Sequence, residues 1–509
     1  MRNAIATFCC LLAGAQVLAG PNEALAAAVA DVRTLPTEAA KQTRYLWMPG
    51  GYTEDERAAL NWHVNRLSKS AKLRRVRVVG ADLVAICLDH YRWPESLWEK
   101  LGDVEPYYTI RTEEIIVEVV EEYEVVQVVR NWPGGKWPGD GKVYAANSFT
   151  YYAEEKRKKP GAAKKTSTKK AVNAPNPIYG QRIVAELQQR TGSLTPLVRG
   201  DWWVVQTSRQ VDLRNRETGT GYSDWLGVRD RGDFLALIRF SQKDSEDLGR
   251  HVRGAFDRSK VAPHGRQLAG FDSVCGKVFM TLDTKTIDRK NLPTELLSPG
   301  AYQHDAQEWL ANSPNGLIFE GLFDSSAKGE RQATVPDFIG AFNTSDLWVS
   351  LDKRVHVGLC QTCHVEDGFR PVNEWARRTF RGGLKIDIAG RKEQQEFEDL
   401  YLSDLDKQLD EGRRRHAEAL VELNGAGWTG RKNATAFAGL YNAYAEAPVN
   451  IKRLALERGV EEKALLDWMR AQSQVPGGMP VSLAGLLNGG TVRRETIEDF
   501  WPVLTLKVK

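Results

Sequence analysis

Between positions 53 and 67, Ala58, Ala59, Leu60, Val64 and Leu67 recur among polar residues, the spacing of one buried face on an amphipathic helix. The next stretch, Leu73 to Val79, alternates partly with arginine as a strand does, and Asp82 to Ile86 reads as a buried element bounded by Trp93-Pro94, with Trp98 anchoring the segment that follows. Glu113 to Glu122 is acidic, yet Ile115, Ile116, Val117, Val119 and Val120 interleave the charges, which favours strands over a solvated tail. Asp201-Trp202-Trp203-Val204-Val205, Trp225-Leu226-Gly227-Val228 and Phe234 to Phe240 are packed segments, the last expected as a surface helix or edge. No regular period runs from Val261 to Phe279, so no element is assigned there. From Glu393 to Leu423, Phe397, Leu400, Leu402, Leu405 and Leu409 stand among dense charge, predicting one or two amphipathic helices. Asn450 is a candidate cap for further helix through Leu466, and Leu483 to Leu487 with Phe500 are later docking contacts.

These elements predict an α+β chain: an N-terminal mixed module, then a divergent, mainly helical region, then C-terminal helices. The expected divisions are a leader over 1–28, a mixed α/β module over 29–151, a basic linker or loop over 152–175, a central domain over 176–388 and a helical domain over 389–509. The linker rests on Lys156-Arg157-Lys158-Lys159-Pro160-Gly161 and Lys164 to Lys170, which hold little that can be buried. An anionic-partner patch is the other reading of that run. A formal charge of +4 over 509 residues is small and locally placed, so no nucleic-acid partner is expected.

Met1-Arg2-Asn3 precedes a small, apolar stretch from Ala4 to Ala19, the pattern of an export signal. Val17-Leu18-Ala19 before Gly20 is one cleavage point and Leu25-Ala26-Ala27 another. Without another long apolar run, no integral membrane segment is expected in the mature protein, which places it in the periplasm or another extracytoplasmic compartment. Of six cysteines, Cys9 and Cys10 belong to the leader and four remain, too few for a disulfide-built scaffold. Cys87 reads as a buried thiol, with a disulfide to Cys275 as the alternative.

Cys360-Gln361-Thr362-Cys363-His364 brings chemistry into this picture, because two thiols and an imidazole at that spacing attach one c-type haem. The thiols form thioethers to the porphyrin and the imidazole takes iron, which makes 176–388 the expected cytochrome-c-like, haem-bearing domain. Zinc needs four protein ligands, or three and water, and no second close pair is at hand. A thiol–disulfide pair is the other alternative, but a redox CxxC belongs at a helix start near a βαβ pattern.

Asp201-Trp202-Trp203, Gly221-Tyr222-Ser223-Asp224-Trp225-Leu226-Gly227, His304-Asp305-Ala306-Gln307-Glu308-Trp309, Pro314-Asn315-Gly316-Leu317 and Arg354-Val355-His356-Val357-Gly358-Leu359, leading into Cys360 to His364, resemble a large family of exported, cytochrome-c-like planctomycete proteins. The resemblance covers most of the chain from about Tyr45 and is clearest from Asp201 to His364. It implies one covalent haem c per chain and leaves partners and reactions unassigned. The chain departs from the pattern at its lysine-rich run and at Leu359, where related motifs often carry serine.

The second axial position separates an electron carrier from an open haem. His304 is the first candidate, with Asp305 or Glu308 to orient a ring or water; a capping or core histidine is its bland reading. Met280 is the runner-up, against ordinary core packing, and Met469 and Met479 follow. His356 is too close in sequence to Cys360 for the opposite face, and Arg354 and Arg370 are candidates to balance the propionates. Asp337, in a turn and packed wall, reads equally as a helix cap. His416, among Arg413-Arg414-Arg415, is expected at the surface. The favoured function is a monohaem electron-transfer protein serving an unidentified redox partner protein, with no catalytic residue. The alternatives are a haem oxidoreductase or peroxidase binding a small distal ligand, and a non-enzymatic haem sensor or interaction protein.

Overall fold

The structure, a computed structural model, describes residues 21–104, 109–115, 123–131, 134–136, 142–146, 150–158, 168–174, 181–208, 220–241, 251–256, 266–283, 306–324, 391–402, 405–445, 447–458, 461–474 and 481–498, with single positions such as His304 and Phe369. Met1–Thr109 and Pro175–Lys509 form one compact unit, and Ile110–Ala174 a second.

In the larger unit a four-stranded sheet runs in the order Leu197–Arg199, Thr43–Trp47, Leu83–Cys87, Arg77–Val78. Thr43–Trp47 pairs parallel to Leu197–Arg199, with Tyr45 opposite Leu197, and antiparallel to Leu83–Cys87, with Tyr45 opposite Ala85. Residues expected on either side of a linker therefore share one sheet. Every residue of Thr43–Trp47 is buried, as suits a central strand covered on both faces. Helix Pro21–Arg33 buries Ala24, Leu25, Ala28 and Val32 in the main core, to which these strands also belong. Helix Glu54–Arg66 begins in a capping box: the Glu56 N–H donates to Thr53 Oγ1 at 3.1 Å, and the Thr53 N–H to Glu56 Oε2 at 2.8 Å. Helix Gly200–Ser208 is buried all round, which is why it shows no polar face in the sequence.

The second sheet has five antiparallel strands in chain order: His251–Phe256, Arg266–Ser273, Gly276–Asp283, Ala306–Asn312 and Ile318–Asp324. The expectation of a mainly helical region over 176–388 is corrected here, since this meander occupies its described centre. The register gives the sheet two faces. Leu268, Phe279, Leu310 and Ile318 pack with Leu405, Leu409 and Phe369, whereas Phe271, Val278, Met280, Trp309 and Phe323 join the main core with Phe234 and Phe240.

Helices Arg391–Leu402, Leu405–Asn424, Gly430–Ala445, Ile451–Arg458 and Glu462–Ser473 follow. Leu405–Asn424 lies on the meander and on Glu54–Arg66, and Gly430–Ala445 lies on Glu54–Arg66 and Gly200–Ser208. The C-terminal helices thus complete the core begun by the N-terminal elements. Asn450 caps as expected, its Oδ1 accepting from the Arg453 N–H at 2.8 Å.

The smaller unit is a set of nested strand pairs. Thr109–Ile115 pairs with Thr168–Ala174, Tyr123–Asn131 runs antiparallel to Thr150–Lys158, and Gly135–Lys136 to Val143–Tyr144. Lys156, Arg157 and Lys158 lie in a strand, paired with Val125, Glu124 and Tyr123, where a loop was expected. Among the described residues no helix is long and apolar enough to cross a membrane.

Candidate functional site

Cys360, Cys363 and His364 lie outside the described residues, as do His356, Arg354, Arg370, Asp305 and Asp337. His304 is half-buried, two positions before strand Ala306–Asn312. Met280 is buried in its strand opposite Ala269 and Trp309, and Met469 is buried in the core, so both have the packing role. Met479 packs against the same core. Cys87 and Cys275 are free thiols and do not form the alternative disulfide; Cys87, expected buried, is half-buried at the end of its strand, and burial pushes the Cys275 thiol up. Glu308 is held by Arg266 at 3.0 Å. No group of three or more His, Cys, Asp or Glu among the described residues is placed to hold a metal ion.

What the structure does bring together is a buried polar centre where helix Glu54–Arg66, strand Ile318–Asp324, helix Tyr222–Leu226 and helix Leu405–Asn424 converge. Arg66 is fully buried and forms an ion pair with Glu320, itself only 6% exposed. The guanidinium lies over the rings of Trp62 and Tyr222, at 5.0 and 5.1 Å from their centroids. Tyr222 Oη lies 3.4 Å from Glu320 Oε2 and accepts from the Glu320 backbone N–H at the same distance.

His416 contradicts the surface expectation: it is 2% exposed. Burial, assisted by the Arg66 charge, holds its imidazole neutral, down to about 3. Neither ring nitrogen has a hydrogen-bond partner among the described residues, nor do Arg66 Nε and Nη1 or Glu320 Oε1. Sequence reading missed this centre. The period of Leu405, Leu409, Gly412, His416, Ala419, Leu420 and Leu423 was the signal, since all seven share the buried face while Arg414 points out.

A second buried histidine, His63, stands one helical turn before Arg66. His63 Nε2 meets Thr207 Oγ1 at 2.8 Å, and Thr207 gives its own proton to Trp203 O at 2.7 Å. The proton of the His63–Thr207 bond therefore sits on Nε2. Burial, then the charge of Arg66, holds His63 well below its ordinary range. Its ring packs on Trp203 and Phe437, with centroids at 5.4 and 5.2 Å.

Beside it four tryptophans close on one another. Trp93 meets Trp225 edge-on at 4.6 Å and Trp203 at 6.0 Å; Trp98 meets Trp225 at 6.0 Å and Trp203 at 6.3 Å; Trp203 meets Trp225 at 5.7 Å. Three indole N–H groups are held by backbone carbonyls: Trp93 by Leu67, Trp98 by Thr195 and Trp225 by Thr220.

Buried asparagines hold the polar centre in register. Asn315 Nδ2 donates to Asn65 O at 2.9 Å, and Asn65 Nδ2 to Arg74 O at 2.6 Å. Asn61 Oδ1 accepts from the Val76 N–H at 2.8 Å. Asn312 Nδ2 donates to Gly412 O at 3.2 Å, while its Oδ1 accepts from the Lys277 N–H at 2.9 Å.

Those motifs of the sequence resemblance that fall among the described residues have physical roles in the core. Asp201 takes both arms of buried Arg199, at 2.6 and 2.8 Å, and accepts from the Trp202 N–H. Gly221 donates to Asp224 at 2.9 Å to open the Tyr222–Leu226 helix, and Gly227 closes it at φ +68°. Gln307 accepts from the Trp309 indole at 3.1 Å. In the turn between the last two strands, Asn315 Oδ1 accepts from Ser313 Oγ and Gly316 adopts φ +86°. Such an arrangement binds elements together; the neutral histidines and paired charges present no nucleophile to solvent.

Comparison of the chain with protein-family models, curated proteins and solved structures gives no match.

Proposed function

We propose that the chain carries one covalent haem c on Cys360 and Cys363, with His364 on iron, and works as an extracytoplasmic electron carrier of the cytochrome-c-like type. The observation that carries this reading is Cys360-Gln361-Thr362-Cys363-His364 itself. Its donor set suits the group: two thiols for thioether bonds and an adjacent imidazole for iron. When bound, the haem supplies a one-electron Fe(III)/Fe(II) couple, and its transfer needs no catalytic acid or base.

His304 is the proposed second ligand. In its support, the competing sulfurs of Met280 and Met469 are buried in core packing, whereas His304 is half-buried at the entry to a strand. The core described above supports a scaffold role for the remaining motifs. Electrons pass to a redox partner protein that approaches the haem-bearing segment.

Expression with a competent maturation system, a haem-stained denaturing gel and a reduced pyridine haemochrome spectrum test attachment. Covalent haem c is expected, and its absence would reject the reading. Low-temperature electron paramagnetic resonance of wild-type protein and of His304→Ala tests the sixth ligand. A low-spin centre in the wild type and a high-spin one in the variant support His304; unchanged ligation rejects it.

A further inference from the structure

The sequence offers two leader cleavage points, after Ala19 and after Ala27, and the packing of helix Pro21–Arg33 distinguishes them. Cleavage after Ala27 would divide this helix. It would remove Ala24 and Leu25, each 1% exposed in the main core, and leave Ala28 as the new terminus. The six residues remaining to Arg33 are fewer than two turns, short of what sustains a helix by itself.

The rest of the helix is fixed to distant parts of the chain. Asp31 accepts from Tyr45 Oη at 2.7 Å and forms an ion pair with Arg77. Arg33 holds Glu186 with two bonds, at 2.7 and 2.6 Å. Elements this interlocked need the whole helix in the mature fold. Its first residue, Pro21, suits a helix start, because proline lacks the N–H that would go unpaired there and its φ is already helical. The two candidate sites also differ at the third residue before the cut, where small side chains are favoured: Val17 in one, the bulkier Leu25 in the other.

We infer that a leader peptidase hydrolyses the Ala19–Gly20 bond and that Gly20 is the first residue of the exported protein. Water adds across the peptide bond, leaving a carboxylate on Ala19 and an amine on Gly20. Helix Pro21–Arg33 then stays with the mature protein, with Ala24, Leu25, Ala28 and Val32 in its core. This inference rests on the export reading above.

The test is to produce the full chain behind its own leader in a bacterium and to read the N-terminal peptide of the extracytoplasmic protein by mass spectrometry. A start at Gly20 is expected. A start at Ala28, or anywhere within the helix, would overturn the inference while leaving export intact; a chain retained in the cytoplasm with Met1 would overturn export and the inference together. As a second measurement, two proteins are made behind one foreign leader, beginning at Gly20 and at Ala28. The shorter is expected to melt lower, by roughly 2–6 °C; equal melting would show that Ala24 and Leu25 do not hold the fold together.

Discussion

The four-stranded sheet joins strands far apart in sequence, Thr43–Trp47 lying against Leu197–Arg199, whereas each strand of the five-stranded sheet pairs with its neighbour in the chain. The meander pairs only chain neighbours, a low contact order that places its register early. The mixed sheet must bring its partners together across the intervening strand pairs of 110–174, at a larger loop-closure cost. Where the meander meets helices Glu54–Arg66 and Leu405–Asn424 lie Arg66, Glu320 and His416, together with the asparagines. Buried polar groups at that junction are satisfied in one alignment and stranded in others, which gives them a role in specifying how the meander and these helices meet.

If the junction carries that role, its single variants exceed anything at the surface. Arg66→Met leaves Glu320 buried and unpaired, and a loss of about 3–5 kcal/mol in urea denaturation is expected. Arg66→Met with Glu320→Leu should recover much of it, because no lone charge remains; a double variant as unstable as the sum of the singles would break the account. Asn315→Ala removes the bond to Asn65 across the junction and should cost about 1–3 kcal/mol, read by the same titration.

Part of the pH dependence follows from His416, alongside His63, which burial also holds low. The folded value of His416 lies below that of the unfolded chain, so the unfolded state binds the extra proton, and the stability present above about pH 6.5 falls as pH drops through 6.5 toward 3. Between pH 7 and 5.5 the loss assigned to this residue is about 1 kcal/mol. His416→Leu should lose that much less than the wild type over the same interval, as measured by urea titrations at both values. At the small end, Lys463 and Asp467 form an exposed pair at 2.6 Å on helix Glu462–Ser473. Lys463→Ala should change stability by no more than about 0.5 kcal/mol; a larger effect would remove the contrast between surface and junction.

Several elements were legible because their signals are local. The period of Ala58, Ala59, Leu60, Val64 and Leu67 marks helix Glu54–Arg66, the apolar run marks Leu83–Cys87, and the leucines among dense charge mark Leu405–Asn424. Burial of Trp203 and Trp225 was expected from their apolar settings and is observed. The parallel pairing of Thr43–Trp47 was not legible, since a partner strand so distant leaves no trace in the local pattern. Strands Arg266–Ser273 and Gly276–Asp283 were hidden by burial on both faces, which removes the alternation that normally reveals a strand. His416 was misplaced because adjacent arginines outweighed helical period. The haem proposed on Cys360 to His364 rests on their spacing, and spacing does not say which surface or distal side chain would face the group.

The most direct measurement is the reduced pyridine haemochrome spectrum of purified, denatured protein, taken beside Cys360→Ser with Cys363→Ser. The account predicts a c-type haemochrome that remains with the wild-type polypeptide and is lost in the double variant. A wild-type chain that emerges from a competent maturation system without covalent haem would contradict it.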